Sequence, residues 1–115
     1  MGGFMARFML IGRYTAEGMA ATIAEGLTAR AKVLKRATES LGGKFVGMYW
    51  TSAPDDSVVI VDFPDASGPV ALVARVKAAG AAQISIVRLF DGAEFDAMIG
   101  ASSGVKYTPP KAPQR

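Results

Sequence analysis

The run Ser57-Val-Val-Ile-Val-Asp-Phe63 constrains this chain more than any other stretch. β-Branched residues are stiff at χ1 and pack well on a pleated surface, so a run dominated by them makes a strand. Successive strand residues point to opposite faces, which puts Val58 and Ile60 on one side and Val59 and Val61 on the other. A strand apolar on both sides belongs to a sheet that must be covered on both faces. The chain has 115 residues, enough for one compact domain.

The flanking sequence supplies the rest of the sheet. Positions 6–14 are bulky and mostly apolar and predict a strand buried on both faces. Thr15 is a good N-cap, and Glu17 sits where the helix dipole favours an acid. From there Met19, Ile23, Leu27, Ala31, Leu34, Thr38 and Leu41 recur at helical spacing, predicting one helix over 16–41 that ends at Gly42-Gly43. Lys44 to Thr51 is aromatic and β-prone, and Ala53-Pro54-Asp55-Asp56 makes a turn. After Phe63 a second helix is expected over about 66–79, with Pro69 in its first turn and Val70, Val73, Ala74 and Lys77 inward. A fourth strand, Ala82 to Phe90, and a short helix, Ala93 to Ile99 closed by Gly100, complete the domain. Residues 1–100 form the expected single domain. Residues 101–115 hold three prolines and nothing to build a core, and read as a disordered, Pro-rich basic tail.

The order β-α-β, β-α-β with a tight hairpin between the second and third strands is the ferredoxin-like pattern of the α+β class, a four-stranded antiparallel sheet with helices on one face. The uncovered face of a monomer should be polar. Here Met9 and Ile11 alternate with Phe8, Leu10 and Tyr14, and the third strand is apolar on both sides, so the open face is apolar. Such a face does not stay in water. The simplest cover is a second copy of the same sheet, so the expected partner is the chain itself, as a homodimer or higher multiple of the dimeric α/β-barrel type.

Several stretches resemble the GYD domain family. They are Leu10-Ile-Gly-Arg-Tyr-Thr-Ala-Glu-Gly18, Ser40-Leu-Gly-Gly-Lys44, Gly47-Met-Tyr-Trp-Thr51, and Val58-Val-Ile-Val61 followed by Pro64-Asp65. Arg88 and Phe95 complete the pattern, and the likeness runs from about Phe8 to Ile99. The resemblance implies a ferredoxin-like fold of the dimeric α/β-barrel type, a mostly bacterial distribution and no established activity. The hairpin departs from the family's Gly-x-Tyr-Asp: it reads Ala53-Pro54-Asp55-Asp56, keeping only the last acid.

Composition narrows the chemistry. The chain has no cysteine and no histidine, which removes disulfides, zinc fingers, thiolate nucleophiles and Ser-His-Asp or Cys-His machinery. No cofactor is expected. Carboxylates and carbonyls alone would favour only a hard metal ion, and no metal site is expected. Of thirteen basic residues, Lys106, Lys111 and Arg115 fall in the last ten positions, and the remaining ten balance the ten acids. The net charge of +3 therefore belongs to the tail rather than to a nucleic-acid-binding face. Arg30, Lys32, Lys35 and Arg36 read as a solvated helix face rather than a phosphate site, and the aromatic motif of sheet-type RNA binders is missing. No apolar run reaches the roughly 20 residues that span a bilayer, and the start, Met1-Gly-Gly-Phe-Met-Ala-Arg-Phe8, lacks the order of a signal peptide. The expectation is a cytoplasmic protein without nucleic-acid or membrane partners.

Candidate ligand-binding residues are Arg13, Tyr14, Tyr49, Trp50, Asp56 and Arg88. Arg13 and Tyr14 end the first strand beside the start of the antiparallel third, so Arg13 is placed to reach Asp56. The pair would bind and orient an anionic group, or tie the hairpin to the sheet. Tyr49 and Trp50 face opposite sides, Trp50 with Val46 and Met48 and Tyr49 with Phe45 and Gly47. Either ring would meet a flat ligand or serve packing. Asp62 is an acid in an apolar strand and needs a partner. Arg88 qualifies only if its strand lies close; otherwise Arg13 or Arg7 of the first strand intervenes, or the acid sits at a solvated strand end.

Three functions fit these residues. One is a homo-oligomeric domain that binds a small metabolite in or beside the sheet–sheet cavity. Another is a cofactor-independent oxygenase or isomerase, for which the resemblance to barrel enzymes supplies the precedent; with no histidine its base would be a carboxylate of raised pKa, Asp62 being the catalytic candidate, or a tyrosine or lysine of lowered pKa. The third is a structural or interaction protein with the tail as its contact arm.

Overall fold

A computed structural model describes residues 3–113. The chain runs β1 (Ala6–Tyr14), α1 (Ala16–Glu25), α2 (Leu27–Ser40), β2 (Lys44–Trp50), β3 (Ser57–Phe63), α3 (Ser67–Ala78), β4 (Ala82–Leu89) and α4 (Gly92–Ala101). The strands form one sheet in the order β2-β3-β1-β4, every neighbour antiparallel. This is the expected α+β, ferredoxin-like sheet, with the apolar β3 in its interior.

Period-two alternation sorts the strands into two faces. Ala6, Phe8 and Leu10 of β1 pack with Val59, Val61 and Phe63 of β3 under Leu72 and Val73 of α3, and Leu34, Phe45, Met48, Ile84 and Ile86 close around them. Each large side chain buried this way contributes about 1.5–3 kcal/mol. Phe63 is fully buried, its ring set against the backbone of Gly43 and Gly68. The opposite face carries Met9, Ile11, Val58 and Ile60, all half-buried, with Val87 at the β4 edge. β1 is thus covered on one side only within a single chain, not on both as its composition suggested.

The single helix expected over 16–41 is two helices. Gly26 adopts φ +94°, a backbone conformation that L side chains rarely take, and breaks the pattern there. Its N–H closes α1 on the Thr22 carbonyl (2.8 Å) and its own carbonyl accepts from Arg30 (3.1 Å), so one residue ends one helix and starts the next. The break turns the apolar stripe, leaving Ile23 and Leu41 exposed while Gly18 and Thr38 are buried. α3 is also rotated from expectation: Pro69, Leu72 and Val73 face inward, whereas Val70, Ala74 and Lys77 are exposed. In β2 the register skips from Phe45↔Val61 to Gly47↔Ile60, so Val46 is a bulge. The bulge returns Phe45 to the face of Met48 and Trp50 and leaves Tyr49 opposite, correcting the unbroken alternation assumed above. Gly100 lies inside α4 rather than ending it. Residues 105–113 form no helix or strand and are exposed; of the 101–115 tail, 114–115 lie outside the described residues. Among the described residues no helix is long and apolar enough to cross a membrane.

Candidate functional site

The covered face is not filled evenly. Near the end of β1 a cavity of about 110 Å³ lies between the sheet and the helices, floored by Leu10, Val59 and Ile84. Gly18 lets α1 press on the turn before β4, where a Cβ would come within 2.1 Å of the Ala81 carbonyl oxygen. Thr15 fixes the same approach: its backbone N–H donates to Ala81 (3.0 Å) while its hydroxyl caps Gly18 (3.0 Å).

Polar groups reach this apolar space at two places. At the sheet, the Tyr14 hydroxyl and Ser57 Oγ are 3.2 Å apart, and the Tyr14 ring stacks on Trp50 with centroids 5.9 Å apart. At the helix break, Glu25 and Arg30 meet across Gly26, with Arg30 Nε 3.1 Å from a Glu25 carboxylate oxygen. That distance is close enough for charge attraction, but the Nε–H is misdirected for a hydrogen bond. Arg30 Nη2 donates to the other Glu25 oxygen at 3.5 Å, so the guanidinium is paired, while its buried Nε–H has no acceptor of its own among the described residues.

Tyr14, Trp50 and Asp56 come together. Asp56 accepts the Tyr14 backbone N–H (2.8 Å) and its own N–H donates to Gly12 (2.9 Å), so it locks the hairpin to the end of β1. Arg13 takes the neighbouring acid instead: its Nε donates to Asp55 at 2.5 Å on the surface. Tyr49 stands on the open face opposite Val58. Arg88 is at the far end of β4, held by Glu94 and stacked over Phe90 (4.5 Å), Phe8 (5.7 Å) and Phe4 (5.9 Å). That grip, with the Asp91 backbone N–H, holds the Glu94 carboxyl below its ordinary range.

Asp62 pairs with Arg7 across β1 and β3, in two hydrogen bonds of 2.8 and 3.0 Å. The Arg7 hydrogen bonds outweigh partial burial and hold the Asp62 carboxyl below the usual carboxylate range, and the same pairing raises the Arg7 guanidinium. A base active near neutral pH needs the opposite shift. Among the described residues no group of three or more acids is arranged to hold a metal ion.

Ser57, Thr22, Glu25 and Arg30 line the cavity without having been singled out as its residues. Gly26 was the available signal. A helix read straight through it places Arg30 in a solvated basic face, whereas a break turns Arg30 toward Glu25.

A family model, the GYD domain, matches residues 8–99. The chain belongs to the GYD domain family. The curated proteins and the solved structures contain no significant match. Within this GYD domain, the acid retained in the hairpin, Asp56, has an architectural partner in the Tyr14 backbone, so its place in the pattern is explained by the fold.

Proposed function

We propose that this GYD domain is a self-associating binding domain for a small, partly apolar molecule held between the sheet and its helices. The observation that carries the reading is the cavity at Tyr14, apolar on its floor and bordered by Arg30, which is paired with Glu25 but whose buried Nε–H has no acceptor of its own among the described residues. Ligand sites have this make-up, an apolar hollow with a few polar groups that fix orientation. At about 110 Å³ the hollow is smaller than a cavity of about 150 Å³ that takes a whole benzene ring, so a ring would seat in it only in part. The ligand class is therefore a compact ring or branched chain with one acceptor, a carboxylate or carbonyl, directed at Arg30. The pair of Tyr14 and Ser57 hydroxyls would take a second polar atom. The self-association in this reading is supported by the open face, where Met9, Ile11, Val58 and Ile60 form an apolar band without cover in one chain.

The test is titration of the full chain with benzoate, followed by two-dimensional NMR of the backbone amides. Shifts concentrated at Tyr14, Thr22, Arg30 and Ser57, and abolished by Val76→Phe from the cavity wall, are expected. Shifts spread over the surface, or undiminished in the filled variant, would overturn the assignment.

A further inference from the structure

The last helix is built to be held but is not covered. α4 opens with a capping box: the Glu94 N–H donates to Asp91 Oδ1 (2.8 Å) and the Asp91 N–H to Glu94 Oε1 (3.1 Å). Arg88 grips the same Glu94 side chain and fixes the helix start to the end of β4. Phe95, Met98 and Ile99 then form one stripe at helical spacing, yet they are 53%, 43% and 54% exposed and no residue of α4 is buried. A helix of 10 residues is marginal in water without packing, the threshold being about 12–15 residues.

The surface arithmetic points the same way. A folded monomer of 12.0 kDa exposes about 6,000 Å², whereas this chain exposes 8088 Å². Its radius of gyration is 18.3 Å, against about 13 Å for a compact chain of this length. Both values include the exposed coil of residues 105–113, so the difference of about 2,000 Å² is shared between that segment, α4 and the open face, against the roughly 800 Å² per partner of a standard stable interface.

The root of the arm says which neighbour it meets. Asp91 and Glu94 border one concavity with Arg7, Asp62 and Leu89, residues of the open face. The first turn of α4 thus stands at the rim of the uncovered sheet, and whatever covers that sheet lies alongside the helix. We infer that α4 clasps a second copy of this chain, its Phe95–Met98–Ile99 stripe extending the interface made by the two open faces, with each copy's arm doing the same to the other. The inference rests on the open-face reading of self-association.

Sedimentation equilibrium of the full chain tests it. Phe95→Asp combined with Ile99→Asp is expected to raise the dimer dissociation constant about 30-fold or more, the scale of central interface residues. The far-UV circular dichroism of the separated chain should be unchanged. Ile60→Lys, on the open face, serves as the reference. If the α4 variant dimerises as tightly as the unaltered chain while Ile60→Lys separates it, the arm inference is overturned, its stripe is left to a different protein, and the open-face reading stands. An unaltered chain that stays monomeric at high micromolar concentration overturns both. As a positional readout, Met98→Cys carrying a benzophenone is expected to crosslink into the other copy at twice the chain mass; adducts confined to its own chain would contradict the clasp.

Discussion

The two faces of this sheet are made by the same strands, one residue out of phase, and they end in different states. On the covered face Val61 and Phe63 lose all contact with water, while on the other Val58, Ile60 and Met9 remain half-buried. Residue chemistry alone does not explain the difference: the open face also carries Arg7, Asp62 and Ser85, yet Met9, Ile11, Val58 and Ile60 are as apolar as the aliphatic residues of the covered face. Connectivity does: each β-α-β unit lays its helices on the same side. The covered face is where the chain stabilises itself, and the open face is where it has apolar surface left for something else.

Substitutions that treat the faces unequally sharpen this contrast. Phe63→Ala empties the space against Gly43 and Gly68 and is expected to cost about 3–5 kcal/mol, read as a lowered midpoint in urea. Gly26→Ala forces a side chain into the φ +94° conformation between α1 and α2. It is expected to cost roughly 1–3 kcal/mol and to displace Arg30, so benzoate-induced shifts at Arg30 should shrink with it.

Asp62→Asn removes the charged partner of Arg7 on the open face. With Arg7 half-exposed, the loss at neutral pH is expected to be about 1–2 kcal/mol. Its pH dependence has a definite sign. The Asp62 carboxyl is held below its ordinary range in the folded chain, so its contribution is present above the unfolded carboxylate pKa of about 3.9. That contribution is lost as pH falls through the lower folded value. Melting temperatures of the unaltered chain and of Asp62→Asn should converge below about pH 4; a gap that stays constant into acid would refute the pairing. The smallest effect on folding is expected from Ile60→Lys at the centre of the open face, within about 0.5 kcal/mol for the separated chain. A loss comparable to that of Phe63→Ala would mean that the two faces are not distinct.

The sheet was legible because its signals are local and strong. β1 and β3 begin and end where the apolar runs do, at Ala6–Tyr14 and Ser57–Phe63, and the hairpin between β2 and β3 is marked by Pro54 and its acids. The helices were less so. Apolar spacing places residues on a stripe, but Gly26 breaks the helix and turns that stripe. The bulge at Val46 likewise resets the alternation of β2, a change set by pairing with β3 rather than by anything in Phe45 or Val46 themselves.

The site was legible in part. Tyr14, Trp50 and Asp56 do converge, because the ends of β1 and β2 are brought together by β3. Arg13 missed Asp56 by one residue, since the Asp56 carboxylate turns back to cap the Tyr14 N–H. Arg88 and Tyr49 were placed with the site by residue type alone. The strand register sets Arg88 opposite Phe8, and Tyr49 points to the other face. The cavity is lined from all four strands and the first three helices, and a hollow assembled from so many separate segments has no pattern of its own in a sequence.

The most direct test of the central claim is native mass spectrometry of freshly purified full-length protein, with the same sample measured under denaturing conditions. A dimer or a multiple of it is expected, carrying a small non-covalent mass that denaturation releases. A monomer with no added mass would contradict both the open face as an interface and the cavity as a binding site.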